Sequence, residues 1–266
     1  MCSSDLRAPG EPLAQKHQNI AASLQAVLEE VVLSLLRRLA AETGLTDLCM
    51  AGGVALNCTM NGKIQSETPF RRVYIQPAAY DGGTSLGAAL YVKHHVLGQP
   101  RDFVMDHTYW GLEYSPAQCR AALDARGLRY REMDDEPLAD AAATLITQGN
   151  IVGWYQGRFE WGPRALGNRS IVCDPRSDRM KDVLNSRIKH REAFRPFAPS
   201  VLEEKAGDWF EMSEPSPFML MTCQVRKAQQ AAVPAITHVD GTARQQTVSR
   251  AANPKYWGLK IGRAHV

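Results

Sequence analysis

The 266-residue chain has no Cys-x-x-Cys pair among its six cysteines, no low-complexity segment, no internal repeat and no unbroken apolar run of membrane-spanning length. Each absence removes a class of protein. Cys2, Cys49, Cys58, Cys119, Cys173 and Cys223 stand mostly among apolar neighbours, which argues against a structural zinc site and for reduced thiols in a cytoplasmic protein. The longest apolar stretch, 31–36, contains Ser34 and ends at Arg37, so no membrane segment is expected. An excess of one charge is also missing, since 31 Lys and Arg meet 28 Asp and Glu for a net charge of +3. A chain so close to neutral is poorly suited to gripping a polyanion along a whole face, and nucleic acid is disfavoured as a partner. With 44% hydrophobic residues there is material for one large core or two ordinary ones, and two domains are expected.

The charge that is present is concentrated. Residues 158–199 hold ten Lys/Arg against five Asp/Glu, a local charge of +5 that leaves the remainder at −2. After Arg158, the stretch "WGPRALGNRS" sets a Gly-Pro turn beside Arg164, Asn168, Arg169 and Ser170. "RIKHREAFRPFAPS" sets Lys189, Arg191, Arg195 and Ser200 around Pro196 and Pro199. Arginine forks match phosphate and carboxylate oxygens bidentately, and rigid turns reduce the entropy lost in orienting them. Alternation along an extended strand would aim Lys189 and Arg191 at one ligand. The island suits a small phosphorylated or carboxylated ligand; a solvated surface with scattered ion pairs is the alternative.

Upstream the pattern is α/β. Residues 19–43 place Ile20, Leu24, Val27, Leu28, Val31, Leu35 and Leu39 at helical spacing with Gly44 as the stop, which predicts a long amphipathic helix. Two strand, glycine-turn, helix units follow. Residues 48–51 run into Gly52-Gly53 and a segment opened by 54–57, and 73–76 lead through Asp81-Gly82-Gly83-Thr84 into a helix over 85–96. Glycines at such turns let a backbone approach a phosphate beside a helix N-terminus, and they also serve simply to turn the chain. Asp81 reads either as a helix cap or as a divalent-metal ligand at a strand tip. Residues 97–135 lose periodicity and read as a domain junction, with a helix over 116–126 and a strand over 128–133. A second domain opens with a helix over 137–148 and a strand over 151–155.

In order and at sensible spacing, "CMAGGVALN", "IQPAAYDGGTSLGAALY", "GRFEWGPRALGNRSI", "NSRIKHREAFRPFAPSV" and "ITHVDGTARQQTV" resemble consecutive blocks of the NodU/CmcH family of O-carbamoyltransferases. The resemblance covers nearly everything from Arg7 to Leu259. It implies an α/β fold in two parts: the C-terminal half of an actin/sugar-kinase-like (ASKHA-type) domain over 7–104 and, after a junction at 105–135, most of a YrdC-like domain over 136–259. It further implies that the YrdC-like part makes carbamoyl-adenylate from carbamoyl phosphate and ATP. The other part would transfer the carbamoyl group to a hydroxyl of a secondary metabolite or sugar.

Carried over by motif, Gly52, Gly53 and Asn57, with Gly82 and Gly83, would lie at the nucleotide end of the transferase site. Asp81 would match the family's iron-binding carboxylate, for Fe(II) or another divalent metal, with Mg accompanying ATP. Arg158, Arg164, Lys189, Arg191 and Arg195 would hold the phosphates of carbamoyl phosphate and ATP, with Lys189, Arg191 and Arg195 cast as catalytic. Asn168, Arg169, Ser170 and Ser200 would bind beside them, and Arg244 of "HVDGTARQQ" would belong to the same pocket. A homodimer is a further expectation.

The chain also departs from the family's pattern. The family carries an H-x-x-x-H metal motif in the upstream half of the transferase domain, and here only the adjacent His94-His95 is found. The family continues beyond "TARQQTV" into an Asn-Thr-Ser-Phe-Asn-like loop that is missing. The ends, "MCSSDL" and "IGRAH", are readings on opposite strands of one short DNA element resembling a sequencing adapter, so 1–6 and 261–266 are set apart from the fold. These features predict an internal fragment. The competing readings are a tRNA threonylcarbamoyl-type modification protein, which the charge of −2 outside the island does not favour, and a nucleotide-binding fragment without activity.

Overall fold

Twenty-nine residues without glycine or proline, Gln15–Thr43, form helix α1, and the Gly44 N–H closes it onto Ala40 O at the expected stop. The structure, a computed structural model, describes residues 7, 10–190 and 197–261. It divides into two compact units, one comprising the chain up to 48 together with 63–74, the other 49–62 and the chain from 75 onward.

In the first unit α1 buries Glu29, Leu33, Leu36 and Ala40, one face of a 3.6-residue period. Burial pushes the Glu29 carboxyl up, but hydrogen bonds from Gln25 Nε2 at 2.7 Å and Lys63 Nζ at 2.5 Å outweigh it and hold the group below its usual value. The helical spacing expected from the sequence picks the opposite face, because Ile20, Leu24, Val27, Val31, Leu35 and Leu39 are all exposed. Both faces are apolar, so periodicity alone could not say which one packs. By length and composition α1 is also long and apolar enough to cross a membrane, contrary to the expectation drawn from unbroken runs. Its scattered charges break the runs without making the helix polar.

Strands β1 (Asp47–Met50) and β2 (Arg72–Ile75) form a two-stranded sheet. β1 leads through the 3-10 turn Gly53–Leu56 into α2 (Cys58–Glu67), and β2 through the turn Asp81–Gly83 into α3 (Thr84–Tyr91), which runs on as a π turn over Val92–Val96. Both strand, glycine-turn, helix units are therefore present. Helix α4 (Pro116–Asp124) starts where its signals place it: Ser115 Oγ accepts the Gln118 N–H, Gln118 Oε1 accepts the Ser115 N–H, and Pro116 takes the first turn. The strand expected over 128–133 does not form. That stretch pairs with no ladder among the described residues, and Leu128 and Tyr130 are exposed, so its apolar alternation has no surface to pack on.

Beyond it, α5 (Asp135–Thr147) leads to β3 (Val152–Tyr155), which pairs antiparallel with β4 (Arg169–Val172), Trp154 facing Ser170. Helix α6 (Met180–Leu184) continues as a π turn over Asn185–Lys189, and His190 follows at φ 47°. Lys189 thus lies on helical backbone rather than on the extended strand expected of it, because Met180 and Leu184 anchor the segment as a buried helical face. The remaining elements are β5 (Ser200–Leu202), α7 (Ala206–Trp209), β6 (Phe210–Glu211), β7 (Cys223–Val225), β8 (Thr242–Ala243), β9 (Gln246–Val248) and α8 (Pro254–Ile261). β5 pairs parallel with β9, and β6, β7 and β8 form an antiparallel sheet.

The result is a mixed α/β structure of small sheets. One core joins Ala143, Ile146, Trp154, Val172, Val248, Tyr256 and Leu259 where α5 and α8 pack on the strands. A second joins Val201, Phe210, Val225, Val233, Ile236 and Ala243. Burying a side chain of the size of Phe210 contributes roughly 2–3 kcal/mol. The five described cysteines are free thiols: Cys58 is buried, Cys49 is exposed, and burial pushes Cys223 up to about 12, leaving it unreactive.

Candidate anion-binding site

The basic island is organised around a buried acid. Glu160 is 4% exposed and accepts the backbone N–H of Leu166 at 2.7 Å, of Asn168 at 2.8 Å and of Arg169 at 3.3 Å, together with Arg169 Nε at 3.1 Å. Four donors make burial of a carboxylate tolerable, and they wind the 160–169 loop around it. Gly162 and Gly167 both sit at φ +114°, where a side chain is strained, and a Cβ on Gly167 would strike the Tyr256 ring. Two residues singled out as ligand-binding are committed to holding this loop. Arg169 pairs with Glu160 and lies 5.8 Å over the Phe159 ring. Asn168 donates to Arg158 O at 2.7 Å and accepts from Gln156 and Asn253, each at 2.9 Å.

The same loop carries 163–165 into a cavity of about 320 Å³, near the small end of the ~300–1,000 Å³ range of ligand pockets. Of the residues chosen from the sequence, Arg164, Ser170, Ser200 and Arg244 line it together. Arg164 Nη2 donates to Cys58 Sγ at 3.6 Å, while its Nε is buried without a hydrogen-bond partner. Burial, and then the neighbouring charge of Arg244, hold the Arg164 guanidinium below the usual arginine value. Lys181 of α6 lines the same space, and none of these three cations has a carboxylate partner among the described residues. Like charges left uncompensated in a half-buried cavity are relieved by an anion placed between them.

Hydroxyls complete the lining. The Tyr256 OH donates to Ser200 Oγ at 3.1 Å, Ser200 Oγ donates to Gln246 Oε1 at 2.9 Å, and Gln246 Nε2 donates to Leu166 O at 2.8 Å. Burial pushes the Tyr256 hydroxyl up to about 12, so it stays a neutral donor at physiological pH. Ser170 Oγ accepts the Gly167 N–H at 3.0 Å. Met219 also lines the cavity at φ 54°, a left-handed backbone that is uncommon without glycine, and its carbonyl accepts from the Cys58 thiol at 3.5 Å. Sequence reasoning missed Tyr256, Lys181 and Met219. No local motif marks them; chain segments far apart in sequence bring them to the cavity.

A second cluster forms at the ends of β1 and β2. The Gly52 N–H donates to Ala79 O at 2.8 Å, so the two glycine turns lie side by side and bring Gly52 and Gly53 near Asp81, Gly82 and Gly83. A Cβ on Gly82 would meet the Tyr80 ring, and one on Gly83 would meet Ala78 O. Asn57 Oδ1 accepts the Met60 N–H at 3.0 Å at the start of α2. Asp81 is exposed, and what the turn uses is its backbone carbonyl, which accepts from Thr84 Oγ1 at 2.6 Å.

Among the described residues no group of three or more His, Cys, Asp or Glu is placed to hold a metal ion. His94 Nδ1 is engaged with Gln99 O at 3.0 Å and His95 stacks on Tyr91. This donor set does not fit an iron centre around Asp81, and no chemical step is derived through a metal.

Arg158 lies apart from the cavity. It pairs with Glu113 at 3.4 Å and lines a different groove with Trp110 and Tyr114. Arg191, Arg195 and the Lys189 side chain lie outside the described residues.

Two arginines, a lysine and the residues Ser170, Ser200 and Tyr256 thus line one small cavity on an α/β scaffold, a lining whose charge matches that of a phosphate or carboxylate. Residues 4–90 match the carbamoyltransferase N-terminus and residues 143–261 the carbamoyltransferase C-terminus, in that order, and the chain belongs to the carbamoyltransferase family. Every residue lining the cavity falls within the C-terminal match. The chain is 46% identical over 260 residues to nodulation protein NolO of Bradyrhizobium diazoefficiens, covering 96% of this chain and 47% of that protein. It is 37% identical over 212 residues to nodulation protein U of Sinorhizobium fredii, covering 80% of this chain and 36% of that protein. It is 37% identical over 211 residues to 3'-hydroxymethylcephem-O-carbamoyltransferase of Streptomyces clavuligerus, covering 79% of this chain and 38% of that protein. The chain spans less than half the length of these relatives.

Proposed function

We propose that the chain is part of an O-carbamoyltransferase and that the Arg164–Arg244 cavity grips carbamoyl phosphate during its activation with ATP. The observation that carries this reading is the pair of arginines, without carboxylate partners among the described residues, sharing one small cavity with Ser170 and Ser200 inside the carbamoyltransferase C-terminal match. Activation first breaks the bond between the carbamoyl oxygen and the phosphorus of carbamoyl phosphate by water, releasing inorganic phosphate and carbamate, and a carbamate oxygen then bonds the α-phosphorus of ATP as the bond to pyrophosphate breaks. Transfer then breaks the bond between the carbonyl carbon and the AMP oxygen as an acceptor oxygen bonds that carbon and gives up its proton. The chain's own contribution to the first step is electrostatic. Arg164, Arg244 and Lys181 offset the repulsion between anionic reactants, and the Tyr256–Ser200–Gln246 hydrogen-bond chain holds the polar wall of the cavity in place.

The finer parts of the reading rest on resemblance alone. They are an ASKHA-type half-domain presenting the glycine turns to a nucleotide, a YrdC-like domain around the cavity, Mg with ATP, and a homodimer. Fe(II) in the full-length enzyme would need ligands beyond Asp81. The acceptor class is a hydroxyl-bearing small molecule, as the name 3'-hydroxymethylcephem-O-carbamoyltransferase says of the Streptomyces clavuligerus relative. The test is carbamoyl-phosphate-dependent ATP–pyrophosphate exchange and carbamoyl transfer in the full-length protein. Arg164→Ala is expected to abolish both, and a full-length protein that modified only tRNA would overturn the choice of acceptor.

A further inference from the structure

Helix α1 carries two opposed apolar faces and uses one. Leu33, Leu36 and Ala40 are buried with the ion-paired Glu29, while Ile20, Leu24, Val27, Val31, Leu35 and Leu39 form a continuous stripe on the other side, each between 41% and 63% exposed. The stripe follows i, i+4, i+7, i+11, i+15, i+19 and ends at the Arg38–Glu42 ion pair. A surface helix carries one apolar face, and a helix apolar on opposite sides is one that other elements cover on both.

We infer that this stripe is the docking surface for the portion of the full-length carbamoyltransferase that this chain does not span. Two observations select that occupant. The relatives are more than twice the length of the stretch they share with this chain, and α1 lies wholly within the carbamoyltransferase N-terminal match. Helix α3 lies at the end of the same match, and it too is apolar with no buried residue. The N-terminal region of the family thus shows uncovered apolar helix, whereas the C-terminal match holds two formed cores. A lipid bilayer fits the stripe less well. The helix sets Glu29 and Glu30 at its centre and holds Glu29 in an ion pair with Lys63, a pairing that a spanning helix would have to break or bury in hydrocarbon.

The experiment places a single thiol at Val31→Cys and follows its labelling by a maleimide, mapped by peptide mass, in two proteins. One is this chain alone; the other is the chain joined in a single polypeptide to the portion of the NolO-type relative that it does not span. Labelling is expected to be fast in the chain alone and slowed about 100-fold or more in the joined protein, since a covered position reacts only on local opening. A paired variant, Leu24→Asp with Leu35→Asp, is expected to restore fast labelling at position 31 of the joined protein while leaving anion binding at the Arg164 cavity unchanged. Equal labelling in the two proteins would overturn the proposal. So would slow labelling in the chain alone caused by dimerisation, seen as a mass that halves in the Asp variant, or by vesicle binding of the chain that the Asp variant loses.

Discussion

Arg164 and Arg244 line one cavity with no carboxylate between them among the described residues, and the charge of Arg244 works against that of Arg164. The site is therefore organised at a cost to the ligand-free protein, which a bound anion offsets.

That cost is measurable. Arg244→Ala removes a like charge from the neighbourhood of Arg164, so the ligand-free melting temperature is expected to stay level or rise. The same substitution is expected to erase the gain in melting temperature that phosphate gives the parent. A large loss of stability without ligand would show that Arg244 holds the fold rather than the anion.

Glu160 is the opposite case, a charge whose partners are all present. Glu160→Ala leaves three loop N–H groups and Arg169 without their acceptor, and it is expected to destabilise the second unit by about 3–5 kcal/mol in urea unfolding. Glu160→Gln keeps one acceptor oxygen and is expected to cost less.

Two glycine substitutions are expected to differ in sign. Gly167→Ala puts a side chain at φ +114° against the Tyr256 ring and is expected to destabilise by about 2 kcal/mol or more. Gly87→Ala in α3 meets nothing within 4 Å and is expected to stabilise by about 0.5–1 kcal/mol. Thermal unfolding of the two variants beside the parent decides both.

Buried phenols contribute to the alkaline limb of stability. Burial raises Tyr256 and Tyr109 from 10.0 to about 12, so their protons are held more tightly in the folded state than in the unfolded one. The stabilisation is complete below pH 10 and is lost as pH rises from 10 towards 12, by roughly 1.4 kcal/mol per pH unit for each group. Tyr256→Phe is expected to reduce that slope in unfolding midpoints measured from pH 10 to pH 12, and Tyr256→Phe with Tyr109→Phe to reduce it further, to the part that the raised Cys223 thiol contributes. A slope unchanged in the double variant would place the alkaline transition elsewhere.

Much of the site was legible where turn chemistry marks it locally. Arg164 stands beside a Gly-Pro turn and Ser200 opens β5 directly after Pro199, whereas Arg244 is reached through the family resemblance, and the three meet in the cavity. Asn168 and Arg169, read in the sequence with the ligand-binding residues of the island, bond to the loop around Glu160. An acid that will be buried, Glu160, looks the same in sequence as one that will be solvated, and these two residues serve it. Tyr256 was illegible for the complementary reason, since its hydroxyl becomes part of the site only when α8 packs against β5. The C-terminal end of α1 could be read from Gly44, whereas its start lies four residues before the expected 19 and the choice between its two apolar faces depends on tertiary partners that no local pattern encodes.

The most direct measurement of the central claim is calorimetric titration of carbamoyl phosphate into the parent protein, Arg164→Ala and Arg244→Ala, each first shown to be folded by circular dichroism. The account predicts saturable binding to the parent with one site per chain, weakened at least about tenfold by either substitution, which corresponds to the ~1.5–3 kcal/mol of a charged hydrogen bond. Binding that is equally tight in all three proteins would contradict it.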